Sequence, residues 1–219
     1  MRLLAFQSSG KPALGLRLGD EVVNLSAEGL PATLDELLRA GPEGLAAARR
    51  AGETARSRLP LDGLDWLPPV QSPAKAIAVG LNYIDHAAES KFDPPTYPVL
   101  FHRFASSWVG HGKALERPHV STQFDYEGEL VIVIGKAGRY IGKDQALDHV
   151  AGYSVFNDGS IRDYQFKSAQ WMMGKNFDRS GSFGPEFVTA DELPAGAAGL
   201  RLQTLSLIHI SEPTRQEAI

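Results

Sequence analysis

The chain has no cysteine, which excludes disulfides and thiol catalysis and fits a cytoplasmic address. It has no apolar run near the ~20 residues that cross a bilayer. The opening Met1-Arg2-Leu3-Leu4-Ala5-Phe6-Gln7 is too short an apolar stretch for a secretory signal. Basic runs are absent as well. The 22 Lys and Arg against 26 Asp and Glu leave a net charge of -4, so neither a nucleic acid nor a membrane is expected as partner. Internal repeats and low-complexity tracts are missing, and no Ser-His-Asp arrangement stands out. Gly110-His111-Gly112 lacks the lysine and the strand-to-helix context of a phosphate loop. His102, His111, His119 and His149 are scattered without metal-ligand spacing.

What is present suffices for a globular enzyme. At 219 residues and 43% hydrophobic content, the chain can bury about 70% of the surface its unfolded form exposes, as one large or two small domains. Short strands are expected over Arg2 to Gln7, Leu14 to Leu18 and Glu21 to Leu25, turning at Ser9-Gly10-Lys11 and Gly19-Asp20. Helical stretches follow near Thr33 to Ala40 and Pro42 to Arg56, which makes residues 1–70 a small N-terminal α/β cap domain. Pro60 to Pro73 reads as a linker. From there to residue 204, strands near Ala76 to Val79, Val99 to Arg103, Glu129 to Ile134, Val150 to Asp158, Phe187 to Thr189 and Leu200 to Gln203 alternate with glycine-rich loops. The fold class is α+β, mainly β.

Chemistry concentrates at two strand ends. Glu127 and Glu129 stand at the mouth of Leu130-Val131-Ile132-Val133-Ile134, and residues i and i+2 of a strand share a face. Two like charges beside an apolar stretch need a shared proton or a cation. The alternative is a solvated strand end, where acidic residues mark a turn. Asp158 supplies a third carboxylate, ending Val150 to Asn157 just before Gly159. If the strand ends converge, three carboxylates meet one ion, and oxygen-only ligation suits Mg²⁺, Mn²⁺ or Ca²⁺.

A second cluster lies in Gly80-Leu81-Asn82-Tyr83-Ile84-Asp85-His86-Ala87-Ala88-Glu89. Asn82 as N-cap, with Asp85 three residues later, predicts a short helix from Tyr83 to about Ser90. Tyr83, His86 and Glu89 then share one face. A carboxylate beside an imidazole raises its basicity and fixes its orientation, as a general base acting on water requires. An exposed helix whose histidine merely neighbours a glutamate fits the spacing equally well.

These segments, with Asp125-Tyr126-Glu127-Gly128-Glu129, Asn157-Asp158-x-Ser160-x-Arg162-Asp163-x-Gln165 and Gly174-Lys175-Asn176-Phe177-Asp178, resemble the successive motifs of the fumarylacetoacetate hydrolase family. The resemblance covers roughly Arg2 to Thr204 and implies a mixed β-strand roll after the cap domain. It implies that Glu127, Glu129 and Asp158 are Mg²⁺ or Mn²⁺ ligands and that His86 and Glu89 form a water-activating dyad. It further implies that Lys175 binds substrate oxygen or stabilises oxyanion charge and that Gln165 contacts substrate. Arg162 matches the arginine of the same motif, as a substrate contact or in a structural ion pair. Tyr83 joins the substrate-binding set.

The implied substrate is a small 2-oxo acid or 1,3-dicarbonyl compound, and the implied reaction is hydrolysis of a carbon-carbon bond in an acylpyruvate-like molecule. Oxaloacetate-type decarboxylation and hydroxymuconate-type isomerisation use the same parts. A non-catalytic module that binds metal or dicarboxylate is the rival from another class. A homodimer is implied. After Gln203-Thr204 the family's further strands are missing, and Leu205-Ser206-Leu207-Ile208-His209-Ile210-Ser211-Glu212-Pro213-Thr214-Arg215 resembles a translated sequencing adaptor. Residues 205–219 are therefore expected to be a non-native tail on a roll left incomplete at its C-terminus.

Overall fold

The computed structural model describes residues 1–82, 96–206 and 209–215. Its first unit is a meander of β1 (Arg2–Ser8), β2 (Lys11–Leu18) and β3 (Glu21–Asn24). Ser8 pairs with Lys11 across a two-residue loop in which Ser9 and Gly10 both take positive φ. That backbone twist matches the twist of the flanking strands. Helices α1 (Leu34–Arg39) and α2 (Gly41–Thr54) follow. The side chain of Thr33 caps α1 by accepting from the Glu36 N–H at 3.3 Å, and Pro42 sits in the first turn of α2, where its missing N–H costs nothing.

Both faces of β1 are covered, and this explains its unbroken apolar run. On one side Leu3, Leu14, Leu16 and Val23 pack with Leu34 and Leu37 of α1 and Ala48 and Ala51 of α2. On the other, Leu4, Phe6, Ala13 and Val22 pack with Leu59, Leu61, Leu64 and Trp66. The stretch from Pro60 to Pro73 is thus no linker. Its apolar residues cover the second face, and it carries β4 (Leu59–Pro60) on β3 and β5 (Trp66–Leu67) on β1.

The sheet runs on across residue 70 without a break. Strand β1 pairs antiparallel with β14 (Phe187–Thr189), which pairs with β11 (Val150–Asn157). Farther along, β11 pairs with β13 (Gly181–Phe183), and β13 lies parallel to β8 (Trp108–Val109). The other edge of β11 is taken by β10 (Gly128–Ile134). Trp108, Phe183 and Phe187 belong to the same core as Leu3 and Leu37. Three smaller pairs complete the architecture: β6 (Ile77–Gly80) with β7 (Val99–His102), β9 (Phe124–Asp125) with β12 (Ser160–Ile161), and β15 (Arg201–Ser206) with β16 (His209–Arg215). The result is mainly β, with few helices, as the sequence pattern predicts. Among the described residues no helix is long and apolar enough to cross a membrane.

Candidate active site

Strand register brings the acidic residues together. Gly128 of β10 pairs with Asn157 of β11, so Glu127 and Asp158 are the first residues beyond the paired ends. The Asp158 N–H donates to the Glu127 carbonyl at 2.8 Å, and the Glu127 N–H donates to Asn157 Oδ1 at 3.2 Å. Gly159 then lets the chain turn against the Ser180 carbonyl, in space that a Cβ would fill. Ser160 Oγ donates back to the Asp158 carbonyl at 2.8 Å. The two carboxylates, 31 positions apart at the ends of an antiparallel strand pair, are thereby held side by side.

Lys175 stands between them. It ends the short helix Met172–Lys175, and Gly174 lets that helix approach the backbone of Gln165 closely. Its Nζ lies 2.8 Å from Glu127 Oε2 and 2.8 Å from Asp158 Oδ2. Only 1% of Lys175 and 3% of Asp158 is exposed, so the ion pairs sit out of water. The Phe101 ring lies 5.3 Å from the ammonium.

Each carboxylate turns its second oxygen to an arginine. Glu127 Oε1 pairs with Arg162 Nη1, whose guanidinium also donates to Gln165 Oε1 at 3.1 Å and grips Asp125 Oδ2 through Nε at 2.9 Å and Nη2 at 2.7 Å. Asp158 Oδ1 lies 2.9 Å from Nη1 of buried Arg103. The network balances Asp125, Glu127 and Asp158 against Arg103, Arg162 and Lys175.

Burial pushes the Glu127 carboxyl up, but the Lys175 ammonium and the Arg162 guanidinium outweigh it and hold it below its ordinary value. Burial lowers Arg103, with Asp158 and Glu127 acting in the opposite direction. Burial also works against the Arg162 charge, yet Glu127 and Asp125 raise its pKa overall.

The sequence-derived residues fare unequally. Glu127, Asp158, Lys175, Arg162 and Gln165 come together within one network. Glu129 pairs with Phe156 across β10 and β11 and so shares that residue's sheet face. Among the described residues no three His, Asp or Glu side chains form a group that could hold a metal. Tyr83, His86 and Glu89, and the helix expected for them, lie outside the described residues. Sequence reasoning missed Arg103 and Asp125. The signals were an arginine closing the apolar strand Val99 to His102, and an acid two residues before Glu127, on the same side of an extended chain.

Two of the carboxylates have the donor type for a hard cation, with Lys175 standing where such an ion would sit. Glu127 Oε2 and Asp158 Oδ2 converge on a single positive centre, the Lys175 ammonium, and carboxylate oxygen is the ligand type for Mg²⁺, Mn²⁺ or Ca²⁺.

The curled mixed sheet, with a buried carboxylate and lysine cluster where two strands end, defines the class, and comparison with known proteins gives the family. Residues 75–217 match the family described as fumarylacetoacetate (FAA) hydrolase, C-terminal, and the chain belongs to it. It is 40% identical over 199 residues to oxaloacetate tautomerase fahd2, mitochondrial, of Xenopus laevis, covering 87% of this chain and 62% of that protein. A fumarylacetoacetate hydrolase from Exiguobacterium antarcticum superposes with a TM-score of 0.74 at 34% identity, covering 89% of this chain and 68% of that one. Maleylpyruvate hydrolase from Sphingobium sp. SYK-6, solved with manganese(II) and pyruvate, superposes with a TM-score of 0.69 at 29% identity, covering 87% and 68%. The chain thus spans just under two thirds of the length of the curated relative it matches.

Proposed function

We propose that this chain carries the site of a divalent-metal-dependent enzyme acting on a small 2-oxo acid or 1,3-dicarbonyl compound through its enol form. The observation that carries the reading is the buried Lys175 ammonium held 2.8 Å from both Glu127 and Asp158. A fixed cation in a water-poor site is placed to hold the oxygen that becomes negative when a proton leaves the neighbouring carbon. Glu127, Glu129 and Asp158 would hold the metal ion, Mg²⁺ or Mn²⁺, which supplies Lewis-acid polarisation of a carbonyl oxygen. Gln165 offers its buried amide to substrate. Arg162, with its fork engaged on Asp125 and Glu127, aligns Glu127 and leaves substrate contact to others. His86 and Glu89 move the proton, with Tyr83 beside the substrate.

Two reactions fit these parts. Keto–enol interconversion of an oxaloacetate-like acid is favoured by the name of the relative at 40% identity. Hydrolysis of a carbon-carbon bond in an acylpyruvate-like compound also needs His86 and Glu89 to activate water, and the manganese-bound hydrolase at 29% identity favours it. Oxaloacetate-type decarboxylation uses the same enolate. A homodimer and a cytoplasmic address complete the proposal. Ile77, Val79, Leu100, Ile132 and Ile134 are exposed on β6, β7 and β10, an apolar face that a second copy or the remaining third of a full-length relative would cover.

Product analysis separates the reactions. Faster decay of the enol absorbance of oxaloacetate, without loss of CO₂, identifies a tautomerase. Pyruvate and a second carboxylic acid released from an acylpyruvate identify the hydrolase, and CO₂ from oxaloacetate identifies the decarboxylase. If Mn²⁺-loaded protein turns over none of these substrates, the enzymatic reading fails.

A further inference from the structure

Arg103 is the least exposed charge in the cluster after Lys175 and Asp158, at 5%. It ends the β6–β7 hairpin, where its N–H donates to the Ala76 carbonyl at 3.1 Å. The guanidinium bridges two backbone segments. Nη1 donates to the Gly159 carbonyl at 3.1 Å and meets Asp158 Oδ1 at 2.9 Å, while Nη2 donates to the Ser107 carbonyl at 3.3 Å. The Phe156 ring lies 5.2 Å from its central carbon, and Gly181 leaves room that any Cβ would take from Nη2. Such a planar fork, fixed at several points, has little freedom to move.

The consequence falls on Asp158. Left alone, a carboxylate can present either oxygen or both to a cation. Here Oδ1 lies in ion-pair contact with Arg103 without a hydrogen bond, and Oδ2 faces the Lys175 ammonium that it shares with Glu127 Oε2, the place a divalent cation would take. We propose that Arg103 is a positioning residue that orients Asp158, so that a single carboxylate oxygen is offered to the divalent cation. This rests on the metal reading given above. Groups that orient a metal ligand without touching the metal typically contribute about 10–100-fold in affinity.

The sign of the effect separates positioning from bulk charge. Arg103→Met removes a positive charge beside the site, which by electrostatics alone tightens cation binding. Loss of orientation loosens it. Arg103→Lys keeps the charge and loses the fork, and Gly181→Ala keeps every charge while displacing Nη2.

The test is calorimetric titration of the full chain with Mn²⁺, alongside circular dichroism to establish that each variant is folded. Weakening of about 10–100-fold in Arg103→Met and Arg103→Lys is expected, with a loss of the same sign in Gly181→Ala. Should Arg103→Met not fold, the other two variants decide. Tighter binding by Arg103→Met with wild-type behaviour in Arg103→Lys overturns the proposal in favour of a charge effect. Unchanged affinity with a lowered melting temperature overturns it in favour of a purely structural role. Wild-type protein that takes up no Mn²⁺ defeats the metal reading itself, and this proposal with it.

Discussion

Lys175→Met should unsettle the metal-free protein far more than an ordinary lysine substitution. Glu127 Oε2 and Asp158 Oδ2 each lie 2.8 Å from Nζ, so the oxygens are at most about twice that distance apart. At such a separation, an effective dielectric of about 20 gives a repulsion of roughly 3 kcal/mol once the ammonium is gone. Removing one partner of a buried ion pair typically costs about 3–5 kcal/mol, because a charge is left uncompensated. The methionine chain fills most of the vacated volume, so cavity formation adds little. For a chain of this size, each kcal/mol lowers the melting temperature by about 2–4 °C, giving an expected fall of roughly 6–20 °C. Differential scanning calorimetry in EDTA measures it, and a parallel scan in Mn²⁺ should recover part of the loss, since a divalent ion restores positive charge between the carboxylates. A variant that melts within about 2 °C of wild type in EDTA would refute the reasoning, because Lys175 would not then be holding two ionised carboxylates in a dry site.

Two further outcomes follow from the same geometry. Gly159→Ala places a Cβ against the Ser180 carbonyl and should cost about 1–3 kcal/mol or more by overpacking; urea unfolding measures this, and an unchanged midpoint would show that the turn after Asp158 yields freely. Glu127 is held below its ordinary pKa in the folded protein, so its contribution to stability is complete above the unfolded value of about 4.3 and is lost as pH falls through the lower, folded value. Urea midpoints measured down the acid range should fall more steeply for wild type than for Glu127→Gln, and parallel curves would contradict the assignment.

Local signals made much of this architecture legible. The turn at Ser9-Gly10 and the helical stretch from Thr33 to Ala40 are read from neighbouring residues alone, and both stand where the pattern places them. Glu127 and Asp158 were recognisable because each ends an apolar strand, and antiparallel register does the rest. Pro60 to Pro73 misled because prolines and turn residues signal a break. The decisive packing, of Leu59, Leu61, Leu64 and Trp66 against the cluster of Leu4, Phe6, Ala13 and Val22, is made with residues more than thirty positions away. Arg103 was passed over for a similar reason. Its importance lies in Asp158, Gly159 and Ser107 converging on one guanidinium, and strand patterning carries no trace of that. The ion pairs of Lys175 with Glu127 and Asp158 are not visible in local sequence either. Repulsion between carboxylates implies a cation, and the fold supplies one from its own side chains before any metal enters.

The central claim, that Glu127, Glu129 and Asp158 together hold a divalent cation, is tested most directly by electron paramagnetic resonance of Mn²⁺ titrated into the wild-type chain and into Glu127→Gln, Glu129→Gln and Asp158→Asn. The account predicts saturable binding of one ion by wild type and a loss of at least about tenfold in affinity in each variant. Binding that is equal in all four proteins, or absent from wild type, would contradict it.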